Sequence, residues 1–317
     1  MSALVLRRLG LGAVTLLLVS VLVFGATQAL PGDAASAMLG REATPERLAA
    51  LRLHLHLDEP VWRQYLGWLG GMLRGDFGAS LATEQPVSAL LAPRIGNSAF
   101  LVLLAALVAI PASLAVGMAS AVRRDGVLDH VLSNVSLALA ALPEFIIGIA
   151  LVMLFATQVM HVLPAVAMIA DDEPIWRQWD QAVLPSLALV LAVVPYMGRI
   201  VRGSMVEVLE SEYVAMARLK GMPPRRVMLR HALPNAAVPF VQVTALQLAW
   251  LAGGVVVVEF VFRYPGMGQA LVDAVANRDL PVVQALSLLI GGVYVVLNTL
   301  ADIATVMLTP RLRTALP

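Results

Sequence analysis

The chain has 317 residues, of which 59% are hydrophobic and only 14% charged, with a formal net charge of +1. Soluble domains carry roughly 25% charged residues, so a soluble globule of this length would lack its charged shell. Cysteine is absent, which excludes disulfide frameworks and thiolate metal sites.

Residues 9–30 follow Arg7 and Arg8 as an apolar run without a charge. A cleavable signal core is usually about 7–15 residues long, so this run is expected to be an uncleaved first span, with residues 1–30 as an N-terminal transmembrane helix. Residues 31–94 read as an external segment with short helices. Thr44-Pro45-Glu46 supplies a cap, a proline at the first helical position and an early acid. Leu48, Leu51 and Leu55 then fall on one face. Trp62, Tyr65 and Trp68 recur every third residue and share a face suited to the membrane–water interface. His54 and His56 are two apart and point to different sides of a helix, which disfavours a paired metal site.

Crossing the hydrocarbon layer takes about 20 apolar residues at ~1.5 Å each. Five more stretches meet or approach that length: 95–122, 131–160, 181–198 with a continuation towards Val201, 232–258 and 280–301. The pattern predicts an all-α, polytopic bundle of six transmembrane spans, with residues 95–317 as its core. Prolines 111, 143, 185, 195, 234 and 239 lie within or beside these spans. They are expected to be packing kinks, tolerated where neighbours re-satisfy the freed carbonyls. Glu144 is the charge inside a span, whereas Glu259 and Asp302 end the fifth and sixth and can reach the interface. Two readings of Glu144 stay open: it faces a possible translocation path, or it pairs with a neighbouring helix or partner subunit.

Basic residues near span ends set orientation. With the N-terminus inside, one side receives 13 of the 22 basic residues against five acids, and the other receives nine against 13. Both termini are therefore expected to be cytoplasmic, in a multi-pass chain. The acidic segment 165–180, with Asp171, Asp172 and Glu173, is then an external solvated loop.

The cytoplasmic loop, 203–234, carries the most information. Val206, Leu209, Tyr213 and Ala217 recur at helical spacing and predict one amphipathic helix. Gly221 is a natural helix terminator, since it accepts the left-handed conformation, and Pro223-Pro224 stops any continuation. A second short helix is expected through Arg225, Arg226 and Arg230 to His231, making a two-helix knob. The chain's sole lysine, Lys220, precedes Gly221 instead of following a glycine, so no nucleotide-binding phosphate loop can form. His-Glu-x-x-His and Gly-x-Ser-x-Gly patterns are also missing. The chain is expected not to be an enzyme and to bind no cofactor, and nucleic acid is not expected as a partner.

Here the sequence resembles the permease subunits of binding-protein-dependent ABC importers, closest to the first permease of the dipeptide/oligopeptide/nickel branch. That family's loop reads Glu-Ala-Ala, three residues, Gly, nine residues, Ile, one residue, Leu-Pro. Gly221, Ala217 and Leu233-Pro234 fall in register, while Ala215, Met216 and His231 replace the Glu, Ala and Ile, and the acid is displaced to Glu212. Tyr213, Val214, Ala217, Arg218, Lys220 and Gly221 fit the branch's own Tyr-Val-x-x-Ala-Arg-x-Lys-Gly variant. Further matches are Pro31-Gly32-Asp33, Gly75-Asp76-Phe77-Gly78, Pro143-x-Phe145-x-x-Gly148 and Arg230-His231-Ala232-Leu233-Pro234-Asn235. They continue through Glu259-x-Val261-Phe262, Tyr264-Pro265-Gly266-Met267-Gly268, Asn277-Arg278-Asp279-x-Pro281-Val282-Val283-Gln284 and Pro310-Arg311-Leu312-Arg313.

The resemblance implies a type I importer permease of a prokaryotic cell (inner/plasma) membrane. Such a chain conducts di- or oligopeptides delivered by an external solute-binding protein, beside a second homologous permease subunit. ATP is consumed by two ATP-binding subunits that grip Glu212, Tyr213, Ala215, Ala217, Arg218, Lys220, Gly221, Leu233 and Pro234. The alternatives are the same architecture importing nickel or another small solute, an ion-coupled secondary transporter, which would usually show several intramembrane charges, and a scaffolding membrane subunit without a pore.

Overall fold

The computed structural model describes residues 2–29, 44–46, 49, 58–170 and 173–308. Leu48, Leu51, Leu55, His54, His56, Asp171, Asp172 and the motifs at 31–33 and 310–313 lie outside the described residues. Pro45 and Glu46 are helical after Thr44, as the capping pattern predicts.

The helices are α1 (Ser2–Ala29), α2 (Val61–Arg74), α3 (Val87–Val122), α4 (Val127–Ala140), α5 (Glu144–Val152), α6 (Asp180–Leu209), α7 (Glu212–Leu219), α8 (Pro224–Val227), α9 (Leu233–Phe262), α10 (Met267–Ala276) and α11 (Leu280–Leu308). Four of them, α1, α3, α6 and α11, are long and apolar enough to cross a membrane, and two bent pairs make six spans when each pair counts as one.

The bends have local causes. Between α4 and α5 the chain turns by 103°, because Pro143 disfavours the helical conformation at Leu142 and restarts the helix as its N-cap. The run 131–160 is therefore a broken span instead of one helix. Within α9 the axis bends by 50° between Leu251 and Gly253, next to the Gly253-Gly254 pair; glycine pairs are a common kink site. Prolines 93, 111, 185, 195 and 239 remain inside their helices.

Helix α6 is the central post. Its packed face joins α3, α5 and α9 in a core of Leu101, Ala105, Leu184, Leu189, Val193, Met197, Leu251 and Phe262. In a bilayer such contact depends on close van der Waals packing and not on a hydrophobic drive between helices, and small residues permit it. A Cβ added at Gly117 of α3 would collide with Val201 and the Gly198 carbonyl of α6. The two backbones touch there.

The outer wall is α1 against α11. Most apolar side chains of α1 face outward, among them Leu6, Leu18 and Leu22. Helix α2 grips its second half: Phe24 meets Tyr65 and Trp68 of α2 at centroid distances of 5.5 and 5.4 Å, and Ser20 shares a 2.8 Å hydrogen bond with the Tyr65 hydroxyl. Trp62, expected to share that face, is instead 59% exposed and stacks under Arg63 at 5.1 Å. The three-residue spacing drifts around a 3.6-residue helix, so only Tyr65 and Trp68 reach α1.

Candidate functional site

At one end of the bundle the chain leaves α6, makes a tight loop and enters α9. Glu210 and Ser211 break the helical path, so the amphipathic helix expected from Val206 onward is two pieces: the last turn of α6, and the eight-residue α7. The fourth span therefore runs beyond its expected end near Val201 to Leu209.

The C-terminus of α7 is closed as the sequence predicts. Gly221 adopts φ +75°. Its N–H donates to the Arg218 carbonyl at 2.9 Å, and Met222 N–H donates to the Ala217 carbonyl at 3.3 Å, the paired bonds that glycine caps provide. Val214 and Ala217 turn inward onto Val227, flanked by Val208, Leu209 and Met222. The opposite face carries Tyr213, Met216 and Leu219, which are 45%, 53% and 82% exposed, three residues apart on a short helix. Glu212, Ala215, Arg218 and Lys220 are exposed around that stripe, as are Arg225 and Arg226.

The expected separate second helix does not form. Pro224 opens α8, which passes through a π-helical turn at Met228–Ala232 straight into α9. Proline at a first helical turn has no N–H to waste, so it starts a helix that then continues. Leu233 and Pro234 thus lie in the first turn of the next span, half-buried and exposed respectively.

The base of the loop is fixed by ionic contacts that sequence reasoning missed. Asp129, in the first turn of α4, is 3% exposed. It receives Arg202 of α6 through Nε at 2.7 Å and Nη2 at 2.6 Å. The Asp125 N–H donates to it at 3.0 Å and the Ser133 hydroxyl at 3.3 Å, with the Ser120 hydroxyl of α3 as a further donor. Arg124 pairs with Glu210 just outside. Asp129 was legible only as an acid in a basic turn; its depth comes from three helices converging.

The opposite end is organised by a second buried carboxylate. Glu259, expected to reach the interface, is fully buried. One oxygen accepts the Ser98 hydroxyl of α3 at 2.5 Å; the other accepts the Gly268 and Gln269 N–H groups at 2.6 and 3.3 Å. It therefore caps α10 from inside the protein, where unpaired helical donors and negative charge suit each other. A Cβ on Gly266 would fall on that carboxylate. Tyr264 donates to the Asn97 carbonyl at 3.0 Å, and Asn97 donates to the Pro265 carbonyl at 2.9 Å. Burial, and then the Glu259 charge, push the Tyr264 phenol above its ordinary range, keeping it a donor.

The neighbouring motifs brace the same end. Gly75 closes α2 at φ +80°. Asp279 accepts the Leu81 N–H at 3.0 Å and the Ser80 hydroxyl, and Gln284 donates to Thr27 of α1 at 2.7 Å.

Glu144 opens α5 at the break, half-buried. Among the described residues it has no side-chain hydrogen bond or ion pair, unlike Asp302, which pairs with Arg8 at 2.7 Å.

These features coincide with known sequences. The relatives include a probable peptide ABC transporter permease protein of Sinorhizobium fredii, 35% identical over 313 residues, covering 99% of this chain and 100% of the relative. Glutathione transport system permease proteins of Salmonella choleraesuis and Escherichia coli K12 are 38% and 36% identical over 310 residues, 98% of each chain. The family of binding-protein-dependent transport system inner membrane components matches residues 113–314, and its N-terminal companion matches residues 1–99. A six-span bundle bearing this loop thus belongs to that family: the chain is a permease component of a binding-protein-dependent ABC transport system, of the branch its motifs resemble.

Proposed function

We propose that this chain forms half of the translocation path of a peptide importer, beside a second homologous permease, and that two ATP-binding subunits drive it by gripping α7. The observation that carries this reading is the two-sided character of α7. Val214 and Ala217 fasten it to the bundle while Tyr213, Met216 and Leu219 stay outward. A solvated helix has no use for a stripe of large apolar side chains, and such exposure favours a partner. The flanking Arg218, Lys220, Arg225 and Arg226 support a cytoplasmic position for the loop by the positive-inside rule. The pairing of Arg8 with Asp302 supports one common side for the start of α1 and the end of α11, and both termini are assigned to the cytoplasm on that ground.

Peptide cargo is supported by the relatives, whose names specify peptide and glutathione transport; they do not favour nickel. Glu144, half-buried and without a side-chain partner among the described residues at a helix break, fits the solute-path reading. Hydrolysis is assigned to the partners because this chain has no phosphate-loop pattern, and ATP is the cofactor of those partners alone.

Leu219→Glu tests the grip. It should insert and fold normally, since Leu219 touches little of its own chain, yet fail to co-purify with the ATP-binding subunits and lose uptake of labelled peptide. Unchanged co-purification and uptake would overturn the docking assignment.

A further inference from the structure

We propose that Asp129 and Arg202 are positioning residues for coupling: their bidentate pair, with Asp129 buried and Arg202 half-buried, locks α3, α4 and α6 into one lever arm, so that displacement of α7 moves all three helices together. This inference rests on the loop reading above and goes beyond it.

The geometry has three parts. First, α7 packs through Val214 and Ala217 onto Val208 and Leu209, the last turn of α6. Motion imposed on α7 therefore enters α6 at its end. Second, α6 is unbroken from Asp180 to Leu209, so that motion reaches Arg202, about two turns (~10 Å) away, without a flexible joint. Third, Arg202 delivers both prongs of its guanidinium to Asp129, whose oxygens also hold Ser120 at the end of α3 and the Asp125 N–H in the α3–α4 turn. A two-pronged planar pair fixes rotation as well as distance, which apolar packing between smooth helices does not. Arg124 and Glu210 form the other link across this turn, but both side chains are about half exposed or more, where an ion pair holds little. The pair on buried Asp129, bidentate and less exposed, is the stiffer connection.

The chain has no cysteine, so nitroxide labels can be directed to Asn134→Cys on α4 and Ala215→Cys on α7, both exposed; because position 215 lies in the docking set, the labelled complex is first shown to retain peptide uptake. The experiment uses the full complex in lipid nanodiscs, nucleotide-free and trapped with ATP and vanadate. In the otherwise native protein the 134–215 distance is expected to stay constant between the two states. The double variant Asp129→Asn/Arg202→Gln, which leaves no orphaned charge, is expected to assemble and to show a shift of about 2–5 Å on trapping, the scale of a helix slipping past its neighbour.

A distance that changes on trapping without the variant overturns the proposal, and so does a double variant that keeps it constant. Failure of the variant to assemble also overturns it, because the pair would then serve the fold alone. The loop reading fails separately, and visibly, if the label at 215 keeps its mobility when the ATP-binding subunits are added.

Discussion

At Gly268 an added methyl group would strike the Val256 backbone and the Glu259 carboxylate. Gly268→Ala should therefore lower the thermal midpoint in detergent, and an unchanged midpoint would show that α10 can move aside. Glu259→Ala attacks the same cap from the other direction. It removes the acceptor of Ser98, Gly268 and Gln269, and one buried donor left without a partner costs about 1–3 kcal/mol. Glu259→Ala is expected to cost more than Gly268→Ala in a melting series; the reverse order would mean that packing, not the carboxylate, holds this end. This residue also shows where reading the sequence stopped short. Its position at the end of an apolar run suggested interface access, because composition cannot reveal that the next turn folds back over it. Gly266 and Gly268 carried the missing signal. A glycine pair opening a helix leaves room for a close acceptor, and Glu259 lies within reach.

Individual helices were legible to different degrees. The four straight spans declared themselves by uninterrupted apolar length, although α6 continues through Arg199 and Arg202, which a hydropathy reading takes for the boundary. Arg202 escapes that logic because Asp129 neutralises it locally. The loop's end at Gly221 was readable from residue type alone, since φ +75° is strained for any residue with a Cβ. Its internal break at Glu210–Ser211 was not, because neither residue forbids a helix; packing of Val214 and Ala217 onto Val227 decides it. Gly221→Val should strain that cap by about 1–2 kcal/mol and turn α7 away from its seat. The expected outcome is normal membrane insertion with ATP hydrolysis no longer matched to peptide uptake, measured side by side in vesicles. Tight coupling in that variant would remove Gly221 from the mechanism.

For the whole molecule, the six spans and the family followed from the sequence, whereas the two brace layers did not. Each layer is made of residues far apart in the chain, Ser98 with Glu259 and Ser80 with Asp279 at one end, Asp129 with Arg202 at the other. Pairings of that range depend on topology, which periodicity does not encode. Sidedness is testable at this scale. Cysteines at Leu219 and at Glu84 should react with membrane-impermeant maleimide from opposite faces, Leu219 only after the cell is opened. Labelling of Leu219 in intact cells would invert the orientation and with it the contact to ATP-binding subunits.

The seam between α1 and α11 has a temporal meaning. Arg8 waits for Asp302, Gly12 leaves space for Val295, and Thr27 waits for Gln284. These three partners all lie on α11 and are made after the intervening spans. During synthesis α1 therefore waits for α11, held meanwhile by its contacts to Gln64, Tyr65 and Trp68 of α2. Closing that seam follows insertion of the spans between, so α1 stays unattached to α11 while they are laid down.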